Sequence, residues 1–389
     1  MGNNGIVKWI PAVAAAAILF ASGEAKAQFE DAAEDAVSAY VIEAGTGQVL
    51  YQKNETKQLP PASMTKIMTM LLIMEALEEG EIQLDDKIRA SEKAASMGGS
   101  QIFLEEGETM TVDEMLKGIA VASANDASVA MAEHIAGSEK AFIEKMNEKA
   151  ESLGLEHTNF QNTTGLPAED HYTSAEDLAV ISRELLQHEK ILQYTGKYED
   201  YLRKGEENEF WLVNTNRLVR HYEGVDGLKT GYTKEARYNL TATAQKKNMR
   251  IVTVVMGADS PKERNQITAS LLDDAFGKYE YHALAKEGDT VTSVPVEKGK
   301  HTNAEAVLKG DAGVVLRKGQ DAGTITEDIT AERIVTAPAS SGEQVGTIRY
   351  FHDNDLLSES DLVLKEDVEP AGWTELFGRT LQRMMGNVS

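Results

Sequence analysis

The chain has 389 residues, enough for two domains, and contains no cysteine, which excludes both a disulfide framework and a cysteine nucleophile. Its formal net charge of −24 at pH 7 argues against nucleic acid and anionic lipid as primary partners, whether the charge reflects a saline habitat or an ordinary acidic surface. The eight histidines show no metal-ligand spacing, so we expect no metal and no cofactor.

Residues 1–27 have the pattern of a secretory signal peptide. Lys8 supplies the basic start, residues 10–21 form the apolar centre, and Ala25-Lys26-Ala27 is a small-x-small cleavage site. The apolar stretch is too short and too rich in alanine to favour a permanent membrane span. We therefore expect an exported protein whose mature chain begins after Ala27.

The first predicted elements of the mature chain place a serine and a lysine together. Residues 37–53 predict a hairpin, and residues 64–79 form a long apolar run that predicts a largely buried helix. Ser63 lies in the first turn of that helix and Lys66 follows three residues later, so both side chains share one helix face. A neutral lysine can take the proton of a serine nucleophile. Taken alone, the same pair also fits a helix N-cap and a solvated charge.

A second short motif, Ser123-Ala124-Asn125, lies between two predicted helices. Residues 111–114 form a capping-box pattern that opens the first helix, and residues 127–136 form the second. This arrangement would present Ser123 and Asn125 on one wall of a cleft, where Ser123 could relay a proton and Asn125 could hold a substrate amide. The alternative is an ordinary polar junction between helices.

A third motif, Lys229-Thr230-Gly231, falls on a predicted edge strand. Residues 239–244 and 250–256 follow as further strands of an antiparallel sheet. Gly231 would permit close approach of a substrate strand. Lys229 would be a second cation that, together with burial, lowers the pKa of Lys66 so that Lys66 can act as a base. Taken alone, this motif fits a simple turn.

The remaining sequence predicts a two-domain plan. A helix over residues 261–279 closes the first domain, which combines a sheet with a helical cluster over residues 28–283. Short β-branched runs and glycine-rich turns over residues 284–370 predict a small all-β domain, interpreted as a spacer or interaction module. The expected strands of this domain cover residues 291–296, 313–316, 333–336 and 344–350.

Residues 371–389 predict an amphipathic helix of about four turns. Its apolar residues, spaced three and four apart, are Trp373, Leu376, Phe377, Leu381, Met384 and Met385. The segment is too short and too polar to span a bilayer, and Arg379 and Arg383 give it positive charge in an otherwise acidic chain. We expect it to bind the membrane surface reversibly; the alternative is a helix that docks onto the protein itself.

The three motifs, in this order, resemble the S-x-x-K, S-x-N and K-T-G set of penicillin-binding proteins and serine β-lactamases. Residues 162–166 and 172–179 extend the resemblance, which covers roughly residues 36–280. The chain is similar to low-molecular-mass penicillin-binding proteins, the serine-type D-alanyl-D-alanine carboxypeptidases. This resemblance implies the α/β penicillin-recognising serine-hydrolase fold and a place at the outer face of the cytoplasmic membrane, in the cell-wall space.

The resemblance also implies a reaction. Ser63 would attack the carbonyl of the penultimate D-alanine in a peptidoglycan stem peptide that ends in D-Ala-D-Ala, with Lys66 as the base. Water would then hydrolyse the acyl-enzyme, and β-lactams would be covalent inhibitors. The residues implied to bind substrate or to complete the charge network are Ser123, Asn125, Lys229, Thr230, Gly231, Tyr232 and Arg264.

Within that set the resemblance assigns particular roles. Backbone N–H groups of Ser63 and Tyr232 would form the oxyanion hole, and Thr230 and Arg264 would bind the terminal carboxylate. Two positions depart from the family pattern: Tyr232 stands where some members carry histidine, and Arg237 replaces an expected glycine. Arg237 would therefore narrow the cleft or alter a turn.

Two other functions compete with this interpretation. A class A β-lactamase also needs a Glu-x-x-Leu-Asn motif, which residues 126–228 do not contain. A catalytically silent β-lactam sensor or wall-binding module is opposed by the intact motif residues. The sequence leaves open whether the enzyme also performs transpeptidation or endopeptidase cleavage, and whether it acts in growth or in sporulation.

Overall fold

The computed structural model describes residues 33–321, 323 and 325–386. The predicted signal peptide, residues 1–27, lies outside this part of the chain, as do the side chains of Leu381, Arg383, Met384 and Met385.

The described chain consists of helices and strands in two regions. The helices are α1 (Lys66–Glu78), α2 (Glu92–Ala95), α3 (Val112–Ala122), α4 (Asn125–Ala136), α5 (Glu139–Ser152), α6 (Ala175–Gln187), α7 (Leu192–Thr195), α8 (Leu218–His221), α9 (Pro261–Lys278) and α10 (Trp373–Gly386). The strands of the first region are β1 (Ser38–Glu43), β2 (Val49–Lys53), β3 (Lys87–Arg89), β4 (Thr109–Thr111), β5 (Glu199–Leu202), β6 (Phe210–Val213), β7 (Val225–Thr233), β8 (Arg237–Lys246) and β9 (Met249–Ala258). Those of the second region are β10 (Tyr279–Ala285), β11 (Thr290–Glu297), β12 (Asn303–Leu308), β13 (Ala312–Arg317), β14 (Ile325–Ala331), β15 (Val335–Thr336), β16 (Gln344–His352) and β17 (Asp355–Leu364).

The first region is built on a five-stranded antiparallel sheet in the order β2-β1-β9-β8-β7. The opening hairpin is confirmed as β1 and β2, and β7, which carries Lys229-Thr230-Gly231, is the edge strand that the sequence predicts. Because side chains alternate between the faces of a strand, the sheet separates two cores. Tyr40 and Val252 pack on one face with α1, whereas Val41 and Val255 pack on the other face with α9.

Helix α1 lies inside the larger core and is buried along most of its length, as its apolar sequence predicts. It is preceded by a 3₁₀ turn, Ala62–Thr65. The predicted capping box is present at the start of α3, where the Thr111 side chain accepts from the Glu114 N–H and the Glu114 carboxylate accepts from the Thr111 N–H. These elements bring the Ser-x-x-Lys turn and the end of α3 to the same side of the sheet.

The second region is all-β, as predicted. It contains a six-stranded sheet in the order β14-β16-β17-β12-β11-β15 and the separate pair β10 and β13. The sequence analysis missed β10, β12, β14 and β17. In β14 the largely polar and exposed residues hide the strand pattern. Strand β10 crosses the predicted domain boundary at residue 283, and its Tyr279 and the Val315 of β13 pack against the core formed with α9.

Candidate active site

Ser63 lies in the 3₁₀ turn directly before α1, one turn earlier than the α-helical position that the sequence predicts. Its side chain is half-buried, and the Lys66 Nζ lies 3.3 Å from the Ser63 Oγ. The prediction that the two side chains touch is therefore confirmed. In a 3₁₀ turn the side chains of residues three apart lie one above the other, so this turn places Ser63 and Lys66 side by side as an α-helical turn would.

Lys66 is fully buried and its amine contacts three oxygen atoms. The Nζ donates to the Asn125 Oδ1 at 2.6 Å and to the Thr164 carbonyl at 2.7 Å, besides its contact with Ser63. Burial lowers the pKa of Lys66 well below its usual range, the Lys229 cation lowers it further, and the Asp126 carboxylate opposes both effects. A neutral amine has two N–H donors and one lone pair, which fits two donated bonds and one contact with a hydroxyl.

The Ser-x-Asn motif joins α3 to α4 and contacts Lys66 through Asn125. Ser123 ends α3 in the left-handed region, with φ 63°, and its buried Oγ has no hydrogen-bond partner in the described part of the chain. Asn125 opens α4, and its Nδ2 donates to the Gly98 carbonyl at 2.7 Å. The Asn125 Oδ1 accepts from Lys66, and one N–H of its Nδ2 donates to Gly98. The second N–H of the Nδ2 takes part in neither bond and could donate to the carbonyl oxygen of the substrate amide that the sequence predicts.

The Lys-Thr-Gly residues line the β7 side. Lys229 is buried, and its Nζ donates to the Thr230 carbonyl at 2.9 Å. Burial, with the nearby Arg264 guanidinium as second cause, lowers the pKa of Lys229 from its ordinary value of 10.5 to about 7. Arg264, which α9 carries, is buried, and its guanidinium lies near enough to Lys229 to affect the pKa of that lysine.

Gly231 has a different structural reason from the one predicted. A Cβ at this position would lie 2.7 Å from the Pro61 carbonyl oxygen and 3.2 Å from Ala62 Cβ and Met64 Cγ. The missing side chain therefore lets the turn that carries Ser63 pack against β7. This close approach is made by the protein's own backbone. The approach of a substrate strand to Gly231 stays a prediction.

The two departures from the family pattern lie beside this strand. Tyr232 is exposed and stacks on Tyr238, with ring centroids 4.4 Å apart and planes inclined by 27°. Arg237 adopts φ 57°, the left-handed region that glycine favours, which explains why a glycine was expected there. The Arg237 side chain forms an ion pair with the exposed Asp259 at 2.7 Å. The arginine in place of the expected glycine therefore alters the turn between β7 and β8.

Sequence reasoning noted residues 162–166 but missed their contact with the catalytic lysine. The Asn162 Oδ1 accepts from the N–H groups of Thr164 and Gly165, at 3.1 and 2.7 Å, and so orients the carbonyl that Lys66 contacts. Asn162 and Gly165 could have predicted a tight turn at this position, because both residue types are common in such turns.

His171 is a buried histidine with a hydrogen-bond partner at each ring nitrogen. Its Nδ1 accepts from the Gln161 N–H at 2.9 Å, and its Nε2 lies 2.8 Å from the Thr65 Oγ1. Burial lowers the pKa of His171 to about 4, so the ring is neutral at pH 7.

Comparison with known proteins gives the same assignment. Residues 24–260 match the D-alanyl-D-alanine carboxypeptidase family, and residues 279–370 match the C-terminal domain of penicillin-binding protein 5. The chain is 54% identical over 349 residues to the D-alanyl-D-alanine carboxypeptidase DacF of Bacillus subtilis, covering 90% of each chain. It is 33% identical to DacC of Escherichia coli, covering 90% of this chain and 88% of that protein.

Solved structures share the two-region architecture. Penicillin-binding protein 5 of Haemophilus influenzae superposes with a TM-score of 0.70 at 28% identity, covering 86% of this chain and 98% of that one. PBP3 of Streptococcus pneumoniae gives a TM-score of 0.67 at 29% identity, covering 86% and 99%. The chain therefore belongs to the D-alanyl-D-alanine carboxypeptidase family and is a low-molecular-mass penicillin-binding protein with the β-rich C-terminal domain of penicillin-binding protein 5.

Proposed function

We propose that this serine-type D-alanyl-D-alanine carboxypeptidase removes the terminal D-alanine from peptidoglycan stem peptides through an acyl-enzyme on Ser63. The observation that carries the proposal is the Lys66 amine, buried and 3.3 Å from the Ser63 Oγ, with its two donated bonds already taken by Asn125 and Thr164. Its lone pair is thereby left for the serine proton. The family assignment favours a carboxypeptidase over a β-lactamase or a silent sensor.

In the first step, Lys66 accepts the Ser63 proton while the Oγ attacks the carbonyl carbon of the penultimate D-alanine. The backbone N–H groups of Ser63 and Tyr232 stabilise the oxyanion that develops. When the tetrahedral intermediate collapses, the C–N bond breaks and the proton passes through Ser123 to the leaving amine of the terminal D-alanine. Water then attacks the ester, Lys66 again acts as base, and the shortened peptide leaves.

The roles of the remaining residues follow from where they lie. Ser123 is placed as the relay because its buried hydroxyl has no partner among the described residues and can bond to a substrate or a transferred proton. Thr230 and Arg264, with the charge of Lys229, would bind the terminal carboxylate beside β7. Asn125 would hold both Lys66 and a substrate amide.

Penicillin provides the direct test of this site. A relative of known structure, penicillin-binding protein D2 of Listeria monocytogenes, was solved in an ampicillin-bound form; it is 29% identical with a TM-score of 0.54, covering 62% of this chain and 98% of that one. We expect penicillin to acylate Ser63 and the adduct to persist, because the sequence lacks the Glu-x-x-Leu-Asn motif that serves deacylation in class A β-lactamases. Mass spectrometry of a digest should place the adduct on Ser63, and Ser63→Ala should abolish both labelling and D-alanine release. An adduct on another residue would contradict the assignment.

The family is one of exported cell-wall proteins, and we further propose a placement for this member. Residues 1–27 would be removed as a signal peptide, and residues 371–389 would hold the enzyme on the outer face of the cytoplasmic membrane. The placement of β10 and the match from residue 279 support a start of the β-rich domain at Tyr279 instead of residue 284.

Helix α10 supports the proposed membrane contact. Its Trp373 and Phe377 are 88% and 65% exposed, an unusual state for large apolar side chains. The Arg379 guanidinium, one of the two cations of this helix, donates to the carbonyls of Gly299 and Lys300 in the β-rich domain. In the described part of the chain, no helix has the length and apolar character needed to cross a bilayer.

A further inference from the structure

Glu139 is a buried carboxylate that lies outside the three motifs. It is the first residue of α5, and only 7% of it is exposed. Burial of a carboxylate costs free energy unless the group is paired and hydrogen-bonded. The contacts of Glu139 therefore indicate what this residue does for the site.

The two carboxylate oxygens of Glu139 contact different residues. The Oε1 accepts from the Thr163 Oγ1 at 3.0 Å and from the Thr163 backbone N–H at 3.3 Å. The Oε2 lies 2.6 Å from the Nζ of Lys93, whose side chain is 56% exposed. Thr163 is fully buried, so the Oε1 satisfies two donors that water does not reach.

Thr163 directly precedes the carbonyl that binds the catalytic lysine. The Thr164 carbonyl accepts from the Lys66 Nζ at 2.7 Å. The Thr163 carbonyl accepts from the Thr69 Oγ1 at 2.8 Å, three residues after Lys66 on α1. Two successive carbonyls therefore join this loop to α1, and Glu139 joins it to α5.

The bonds of Asn162 shape the loop but do not hold it against the helices. The Asn162 Oδ1 accepts from the N–H groups of Thr164 and Gly165, and its Nδ2 donates to the Leu166 carbonyl. All three partners belong to the loop itself. The bonds with Glu139 therefore fix the position of the loop where the bonds inside its turn cannot.

The direction of the Lys66 lone pair depends on the Thr164 carbonyl. A neutral amine has two N–H donors and one lone pair. Asn125 and Thr164 accept the two donors, which leaves the lone pair for the Ser63 Oγ at 3.3 Å. If the carbonyl moved away, an N–H of Lys66 would be free to donate to the Oγ, and the lone pair would no longer face the serine proton.

We propose that Glu139 is a positioning residue for acylation, because its two bonds to Thr163 fix the Thr164 carbonyl. The fixed carbonyl keeps the lone pair of Lys66 directed at the nucleophile. The inference rests on the proposed function, in which Lys66 is the base. Glu139 acts here as a hydrogen-bond acceptor and not through its charge, since the carboxylate whose charge raises the pKa of Lys66 is that of Asp126.

The test compares Glu139→Ala with Glu139→Gln. The alanine variant lacks the acceptor, so the first-order rate constant of acylation by penicillin should fall about 10–100-fold, the cost of a small displacement of a catalytic group. The penicillin concentration that half-saturates this rate should stay within about twofold, because ligand binding is not altered. Glutamine keeps an Oε1 for Thr163, so its rate constant should stay within about threefold of the wild type. The kcat for D-alanine release from diacetyl-L-Lys-D-Ala-D-Ala should follow the same order.

Thr163→Val tests the route through the loop without changing the carboxylate. Valine has nearly the shape of threonine but lacks the Oγ1 donor, while the backbone N–H still reaches Glu139. We expect a smaller loss of acylation rate than in Glu139→Ala. The double variant should lose no more than Glu139→Ala alone, because residues that act through one contact are not additive.

Two further variants separate positioning from stability and from the ion pair. Lys93→Gln removes the partly exposed cation and leaves the bonds to Thr163, so acylation should be unaffected. Thr111→Ala removes the cap at the start of α3, the end away from Ser123. It should lower the midpoint of thermal unfolding without slowing acylation.

Each contrary result has a separate meaning. Normal acylation by Glu139→Ala, or losses that multiply in the double variant, would refute the route through Thr163. An equal loss in Glu139→Gln would show that the charge matters instead of the acceptor, and an equal loss in Thr111→Ala would show that the rate follows stability; both overturn the proposal. If wild-type Ser63 were not acylated and no D-alanine were released, the carboxypeptidase function itself would fail.

Discussion

At the residue scale, the chemistry of the site depends on two lysines that burial makes weakly basic. Lys66 and Lys229 are both buried. The oxygen atoms that their Nζ atoms contact belong to a hydroxyl, a side-chain amide and backbone carbonyls, and none belongs to a carboxylate in the described part of the chain. Desolvation disfavours the charged form of an amine, so burial lowers both pKa values. The sequence analysis expected Lys229 to lower the pKa of Lys66, and the Lys229 cation lies near enough to Lys66 to do so.

Replacement of Lys66 by alanine removes the base. We expect the rate of acylation by penicillin to fall by about 10²–10⁴-fold, the usual contribution of a positioned general base. Lys66→Arg should be equally inactive, since a guanidinium stays protonated. Lys140→Ala, at an exposed helix position, is the control and should acylate normally. Near-normal acylation of Lys66→Ala at neutral pH would remove the central premise of the mechanism.

The lowered pKa of Lys229 also predicts how stability changes with pH. Its pKa is about 7 in the folded protein and 10.5 in an unfolded chain, so between these values the unfolded state binds more protons. The contribution of Lys229 to the free energy of unfolding therefore rises with pH across this window.

Lys229→Met should lose that contribution. We expect the midpoint of thermal unfolding of the wild-type protein, measured relative to that of Lys229→Met, to rise between pH 7 and about pH 9.5. Lys57→Met, at an exposed position, serves as the control for the general effect of pH and should show no such trend relative to the wild type. A difference between wild type and Lys229→Met that stayed constant or fell with pH would mean that Lys229 is charged in the folded state.

At the element scale, β7 and the turn that carries Ser63 must lie in direct contact. Gly231→Ala would place a methyl group 2.7 Å from the Pro61 carbonyl oxygen. Because backbone on both sides must move, we expect destabilisation of about 1–3 kcal/mol and a loss of acylation rate. The measurements are denaturant unfolding and the rate of penicillin acylation.

Gly277→Ala is the matched control for this substitution. A Cβ at Gly277, near the end of α9, would meet nothing within 4 Å. We therefore expect no loss of acylation and a gain of stability of up to about 1 kcal/mol, because alanine favours the helical state. If Gly231→Ala behaved like Gly277→Ala, the tight contact between β7 and the nucleophile turn would be refuted.

Local pattern predicted the elements that carry the three motifs and the central strands of the sheet, but not the contacts between them. The apolar run of α1, the capping box at Thr111 and the β-branched residues of β9 are signals read within a few residues. The Thr164 carbonyl that contacts Lys66 is 98 residues away in sequence. The hydrogen bond from the Ile102 N–H to the Asp126 carboxylate likewise depends on packing between separate segments. In the β-rich domain, β14 is largely exposed and polar, so its strand is set by pairing with β16 and not by its own residues.

At the scale of the whole molecule, the acidic surface and the C-terminal helix act in opposite directions. A net charge of −24 repels an anionic membrane, so apolar contacts must supply most of the binding free energy of any membrane attachment. Helix α10 offers Trp373 and Phe377, and the bonds from Arg379 to the β-rich domain fix one side of the helix. This arrangement would hold the apolar side chains outward at a set position on the domain.

Membrane binding should therefore depend on the exposed aromatic residues of α10. We expect the full-length mature chain to co-sediment with vesicles of mixed neutral and anionic lipids, reversibly and only in part, since one short helix binds weakly. A chain that ends at Gly372 should remain in the supernatant while keeping its D-alanine release. The double variant Trp373→Ala, Phe377→Ala retains Arg379 and should behave like the truncated chain, which separates lipid contact from docking. Equal partition of all three into the supernatant would refute the anchor, and a lower unfolding midpoint of the truncated chain alone would assign α10 to the fold.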